Sequence, residues 1–129
     1  MKLSKKDQTK VFKVKLWSVT KADTKFSEYI RKRDGKCIRC PRTTLLQNSH
    51  FWSRGHTAVR FDPDNCDTLC YPCHYGNAKG WEYEKNGGYM EYKKKQLGPQ
   101  RYLELEARAH QQMKRSEAIK RCMTLLDGV

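Results

Sequence analysis

Residues 37–77 read CIRCPRTTLLQNSHFWSRGHTAVRFDPDNCDTLCYPCHYGN, and the two Cys-x-x-Cys knuckles in this stretch decide the fold. Cys37-Ile38-Arg39-Cys40 and Cys70-Tyr71-Pro72-Cys73 are separated by 29 residues, with His50 between them and His74 directly behind the second. Each knuckle presents two thiolates to one point, and four thiolates at tetrahedral corners are what structural zinc prefers. A redox reading of either pair lacks the βαβ surroundings such motifs need. Zinc held by four sulfurs keeps no open position, so its expected role is folding rather than chemistry. Cys122 falls on an apolar helical stripe and reads as a buried hydrophobe. Cys66 is the alternative partner should Cys70 or Cys73 not be a ligand.

Working outward, the stretch 48–61 suggests two short strands, Asn48–Trp52 and the β-branched Thr57–Phe61, around Ser53-Arg54-Gly55-His56. Asp62-Pro63-Asp64-Asn65 is turn chemistry. A short helix over 71–79 then carries His74 on its first turn. The expected fold class is α+β: a small zinc-knotted β-β-α core with flanking helices.

Before it, residues 23–33 read as a helix, with Asp23 as cap, Phe26, Tyr29 and Ile30 at helical spacing, and Gly35 as the stop. Residues 1–22 form a basic arm in which Phe12, Val14 and Leu16 alternate with lysines, the pattern of a short strand. Beyond Gly80 the pattern is helical. A piece over 89–97 is broken by Gly98-Pro99, and one long helix is expected from Pro99 to Leu126. Its stripe of Tyr102, Leu105, Ala109, Met113, Ile119, Met123 and Leu126 is interrupted by Gln112 and Ser116. Packing onto the domain is one use of that stripe; homodimerisation is the other. The boundaries read from sequence are therefore 1–22, 23–98 and 99–129.

The chain has 129 residues, with 27 Lys+Arg against 14 Asp+Glu, a formal charge of +13. So large an excess on a small protein points to a polyanionic partner, nucleic acid above all. Residues 1–36 alone hold 12 basic and 4 acidic side chains, which makes the N-terminal segment the main phosphate-attracting arm. No apolar run follows Met1–Lys6, and no stretch approaches the ~18 apolar residues of a membrane span. The expected setting is the reducing cytoplasm, which favours thiolate–metal ligation over disulfides.

The histidines complete the pattern. A strand His facing a helix His, with an amide near the turn, is the material of a second metal site suited to phosphodiester hydrolysis. That reaction needs an activated water and a cation beside the phosphorane. A neutral His is the usual water-activating base.

Cys37-x-x-Cys40, Ser49-His50-Phe51, Asn65 and Leu69-Cys70-x-x-Cys73-His74 together resemble the HNH (ββα-metal) endonuclease motif. Residues 37–77 are most similar to the phage lambda Nin-region recombination nucleases of the Rap/NinG type. The resemblance covers about residues 24–98, with its specific motifs between 37 and 77. It implies a DNA endonuclease that leaves a 5′-phosphate and a 3′-hydroxyl and acts on double-stranded or branched DNA such as Holliday junctions. His50 would be the general base and Asn65 would fix the loop and orient it. His74 would bind a catalytic Mg²⁺ or Mn²⁺, while zinc sits on Cys37, Cys40, Cys70 and Cys73.

Many members of that family carry Asp immediately before the base, as a metal ligand, where this chain has Ser49. Asn77 is the first substitute; Asn48, His56 and Asn65 are weaker ones. Arg54 and Arg60 flank the strands and are candidates to grip DNA phosphates. The readings from other classes are a non-catalytic zinc-dependent DNA-binding module and an RNA-directed protein; within the nucleases, a nicking or packaging-associated enzyme is the alternative.

Overall fold

The computed structural model describes residues 15–76 and 79–127, without the side chains of residues 85 and 86. Most of the basic arm, including Phe12 and Val14, lies outside the described residues, as does Asn77.

Helix α1 spans Val19–Asp34. Ser18, not the expected Asp23, is its N-cap, accepting from Lys21 N–H at 3.1 Å. Gly35 ends it at φ 73°, the left-handed turn that favours glycine. Asp23 lies on the second turn, where it receives both the Nε and Nη2 of Arg60.

Two strands form one antiparallel sheet, β1 (Leu46–His50) and β2 (Cys66–Cys70), with Leu46 opposite Cys70 and His50 opposite Cys66. The register sets the first residue of β1 against the second knuckle and the base candidate against the far end of β2. The strand expected at 57–61 is instead a 3-10 turn, Thr57–Val59. The reason is Asn65: its Oδ1 accepts from Trp52 N–H, and its Nδ2 donates to the Trp52 and Val59 carbonyls. One buried amide thus occupies backbone groups that a strand would use, and the loop curls over it.

β2 is buried along its whole length. Thr68 N–H donates to the Asp34 carboxylate and Thr68 Oγ1 to the Ile30 carbonyl, which fastens β2 to the end of α1. On β2 the fully buried Asp67 meets the fully buried Lys93 at 2.9 Å, with Tyr89 Oη and Gln96 Nε2 also donating to it. Every polar group of that cluster has a partner, which is what makes a buried charge tolerable.

Helix α2 is one short turn, Tyr71–Tyr75, shorter than the expected 71–79. Leu45, at φ 57° and well exposed, turns the chain into β1, and its carbonyl accepts from Tyr71 N–H at the start of α2. After α2 the chain doubles back, and a turn at Lys85–Tyr89 leads into helix α3, Met90–Ala109. α3 bends sharply at Gly98, φ 79°, the break expected at Gly98-Pro99.

The single long C-terminal helix is not formed. α3 stops at Ala109, residues 110–114 make a turn, and helix α4 covers Arg115–Asp127. The break lets one stripe serve two cores. Leu105 and Ala109 pack with Cys37, Phe51, Leu69, Trp81 and Tyr89, while Ile119 and Cys122 pack with Ala22, Phe26, Ile30 and Phe61 of the α1 side. The stripe that suggested a dimer is largely buried within the chain; of the interrupting residues, Gln112 lies in the turn and Ser116 at the start of α4. No helix among the described residues is long and apolar enough to cross a membrane.

Candidate functional site

The sulfurs of Cys37, Cys40, Cys70 and Cys73 lie within 4.8 Å of one another, with Cys40 and Cys70 3.6 Å apart. Four sulfurs about 2.3 Å from a tetrahedral zinc are ~3.8 Å apart, so the cluster has the size and chemistry to hold such an ion. The first knuckle is shaped by Cys37 N–H donating to the Arg42 carbonyl, and Ile38 N–H ties it to β2 at the Thr68 carbonyl. Hydrogen bonding from the Arg42 backbone, the largest influence, brings the Cys40 thiol down to about 7. Burial pushes Cys70 and Cys73 up. Cys66 stands apart from the cluster, fully buried opposite His50, with its thiol held well above the usual range by burial. Cys122 is likewise buried, under α1.

Beside the cluster opens a cleft of about 710 Å³ whose lining includes Gln47, Asn48, His50, Arg54, His74 and Glu82 together with Asp23, Arg31 and Tyr75. His50 and His74, 24 positions apart in sequence, thus share one cavity. β1 supplies the first and α2 the second, and the cysteine cluster holds the junction of sheet and helix between them.

His50 Nε2 lies 2.9 Å from the Arg60 carbonyl. A carbonyl only accepts, so Nε2 carries the proton and the neutral ring keeps its lone pair on Nδ1. Burial lowers the His50 pKa to about 4; the Arg60 carbonyl opposes the shift and the Arg54 charge adds to it. The ring is therefore neutral, and able to accept a proton, throughout the physiological range.

His74 is buried, stacked against Tyr75 with ring centres 3.9 Å apart. Its Nδ1 is 2.9 Å from Gln47 Oε1 and its Nε2 3.5 Å from Glu82 Oε2.

The remaining sequence candidates fall in different places. Asn65 is fully buried beneath the loop and does not line the cleft; it holds the segment between His50 and Arg60. Arg54 lines the cleft and is well exposed, 3.6 Å from Asp23. Arg60 points its guanidinium into a two-pronged pair with Asp23, and its carbonyl, not its side chain, serves His50. His56 sits away from the cleft, in an aromatic cluster with Trp52 and His110. Ser49 is fully buried and faces neither histidine's cleft.

Glu82 is the cleft residue that motif reading missed. Trp81 and Glu82 N–H groups donate to the Cys73 and His74 carbonyls, laying residues 79–84 along α2. Arg39 of the first knuckle clamps the same segment through the Cys73 and Lys79 carbonyls and by its position over the Trp81 ring. Gly80 permits the approach, since a Cβ there would lie 2.5 Å from the His74 oxygen. No short-range motif carries this signal; only the glycine hints at a close backbone crossing.

Comparison with known proteins finds no matching family model, no matching curated protein and no matching solved structure.

Proposed function

We propose that the protein is a metal-dependent DNA endonuclease of the HNH kind, hydrolysing phosphodiester bonds to 5′-phosphate and 3′-hydroxyl ends. The observation that carries this reading is His50: a neutral imidazole, tethered through Nε2 to a backbone carbonyl, that shares one cleft with His74. A fixed tautomer that leaves Nδ1 to accept is what a general base needs and what a purely structural zinc module does not. The resemblance of residues 37–77 to the HNH motif supports the same reading.

In this scheme His50 Nδ1 accepts a proton from a water as its oxygen attacks the phosphorus. The bond to the 3′ oxygen breaks, and that oxygen leaves as the hydroxyl after taking a proton from solvent. A divalent ion, Mg²⁺ or Mn²⁺, held at His74, would supply positive charge for the phosphorane and the leaving oxygen. Arg54, exposed on the cleft wall, pairs with a flanking phosphate. Asn65 keeps the His50–Arg60 loop in shape. Zinc on Cys37, Cys40, Cys70 and Cys73 fixes β1 against α2 and takes no part in the step.

The net charge of +13 favours a DNA substrate, and the resemblance favours branched DNA in the cytoplasm of the cell where a phage replicates. The competing reading, a zinc-dependent module that binds DNA without cutting it, draws on one observation: buried Ser49 stands where many HNH proteins place a metal-binding carboxylate.

Cleavage of supercoiled plasmid and of a synthetic four-way junction with Mg²⁺ or Mn²⁺ separates the two. Cutting that requires the ion and is abolished by His50→Ala, with zinc content and DNA binding retained, is the expected result. Zinc-loaded protein that binds both substrates and cuts neither would leave the binding module.

A further inference from the structure

The geometry points to Glu82 as the second protein ligand of the catalytic divalent ion, paired with His74 Nε2; this assignment rests on the nuclease reading above. Gln47 Oε1, 2.9 Å from Nδ1 of His74, is an acceptor, so Nδ1 carries a proton, and in the neutral ring the lone pair lies on Nε2. That lone pair meets a carboxylate oxygen, Glu82 Oε2, at 3.5 Å. A divalent ion with N and O arms of about 2.1 Å bridges atoms between ~3 Å and ~4 Å apart, which includes the observed separation.

The surroundings are built rather than incidental. A ligating imidazole characteristically donates its other N–H to an oxygen that fixes the ring, and Gln47 does so here. Glu82 is placed by its own backbone bond to the His74 carbonyl, by the Arg39 clamp and by the glycine at position 80. Its side chain is one-third exposed and borders the cleft that also contains His50. The carboxylate that position 49 does not provide thus comes from beyond the second knuckle. One His and one Glu leave the rest of the ion's shell to water and to a phosphate oxygen, the arrangement of ions that act on phosphodiesters.

The test titrates zinc-loaded, full-length protein with Mn²⁺, following the free ion by its electron paramagnetic resonance, and measures DNA cleavage on the same preparations. Mn²⁺ is the probe because thiolates compete for it poorly. Wild type is expected to bind one Mn²⁺. Glu82→Gln and His74→Ala should each bind at least about tenfold more weakly, and His50→Ala as wild type does. Equal Mn²⁺ affinity in wild type and Glu82→Gln overturns the assignment, as does a wild type that binds no Mn²⁺. In either case DNA cleavage by wild type would leave the nuclease reading standing. Conversely, Mn²⁺ bound through Glu82 by a protein that cuts no DNA supports the ligand pair and removes the nuclease.

Discussion

Around the knuckles, Cys37, Phe51, Leu69, Trp81 and Tyr89 share a core with Leu97 and Leu105; between α1 and α4, Phe26, Ile30, Phe61, Ile119 and Cys122 form another. Apart from α3, the first is assembled from short pieces: two five-residue strands, a five-residue helix and the returning segment 79–84. None has enough hydrogen bonds or buried surface to stand alone, so the cysteine cluster must fix their positions. The second is two ordinary helices meeting along apolar stripes, and needs no ion. The cleft lies between the two, lined by Gln47, His50 and His74 of the first and by Asp23 and Arg31 on α1 of the second, which also anchors β2 through Asp34 and Ile30.

The largest effect that would break this contrast concerns the ion. Cys73→Ser should lose zinc and unfold the knuckle core, because structural zinc in small domains contributes about 10 kcal/mol of apparent binding energy to folding. Metal content and far-ultraviolet circular dichroism would show it, and a well-folded Cys73→Ser protein would remove the distinction between the halves. Next, Ile119→Ala should cost about 3 kcal/mol through lost burial and the cavity left behind, visible in urea unfolding. Zinc stoichiometry at 25 °C should stay at one; loss of zinc on this change would mean that the two cores are a single unit.

His50 sharpens the picture along the pH axis. Its folded pKa is about 4, against 6.5 for the unfolded ring, so the unfolded state takes up the proton first as pH falls. Stability contributed by the neutral buried ring is full above pH 6.5 and is lost as pH drops from there toward 4, by at most about 3 kcal/mol. Asp23, Arg54 and Arg60 face the same ring and set how much of this is realised. His50→Gln should flatten the pH dependence of the urea midpoint in that window; an unchanged slope would show that the ring does not titrate there. The smallest expected effect is at Leu45, whose φ of 57° is costly for a leucine and whose side chain is exposed. Leu45→Gly should leave stability unchanged or raise it by up to about 1 kcal/mol in thermal melts. A loss above that would indicate that the side chain packs against something.

How far the sequence disclosed these features differs between the two halves. The knuckles were legible because four cysteines that could share one metal ion must come at a characteristic spacing, and His50 and His74 because of where they stand relative to those knuckles. The strand expected at 57–61 failed because β propensity at Thr57, Val59 and Phe61 is outweighed by the Asn65 amide, which bonds the backbone at 52 and 59. The long C-terminal helix failed because a 3.6-residue period, interrupted only at Gln112 and Ser116, resumes beyond the point where the chain folds back between 110 and 114. Periodicity records which side is apolar, not which core it meets. Glu82 was invisible for a third reason: its partner is chosen by residues 79–84 crossing α2, a contact without local signature except Gly80. Arg60 illustrates the same limit, since nothing near it in sequence announces Asp23.

The two knuckles stand on either side of the strand pair, and the segment that carries Glu82 follows the second of them. During synthesis, Cys37 and His50 leave the ribosome long before the cysteines and the carboxylate that complete their surroundings. Until residue 82 has emerged and the ion has been captured, the groups that line the cleft have no fixed relation to one another. A chain still being made, or one starved of metal, would carry the residues of the cleft without the cleft, and the activity proposed above would wait on the last of them.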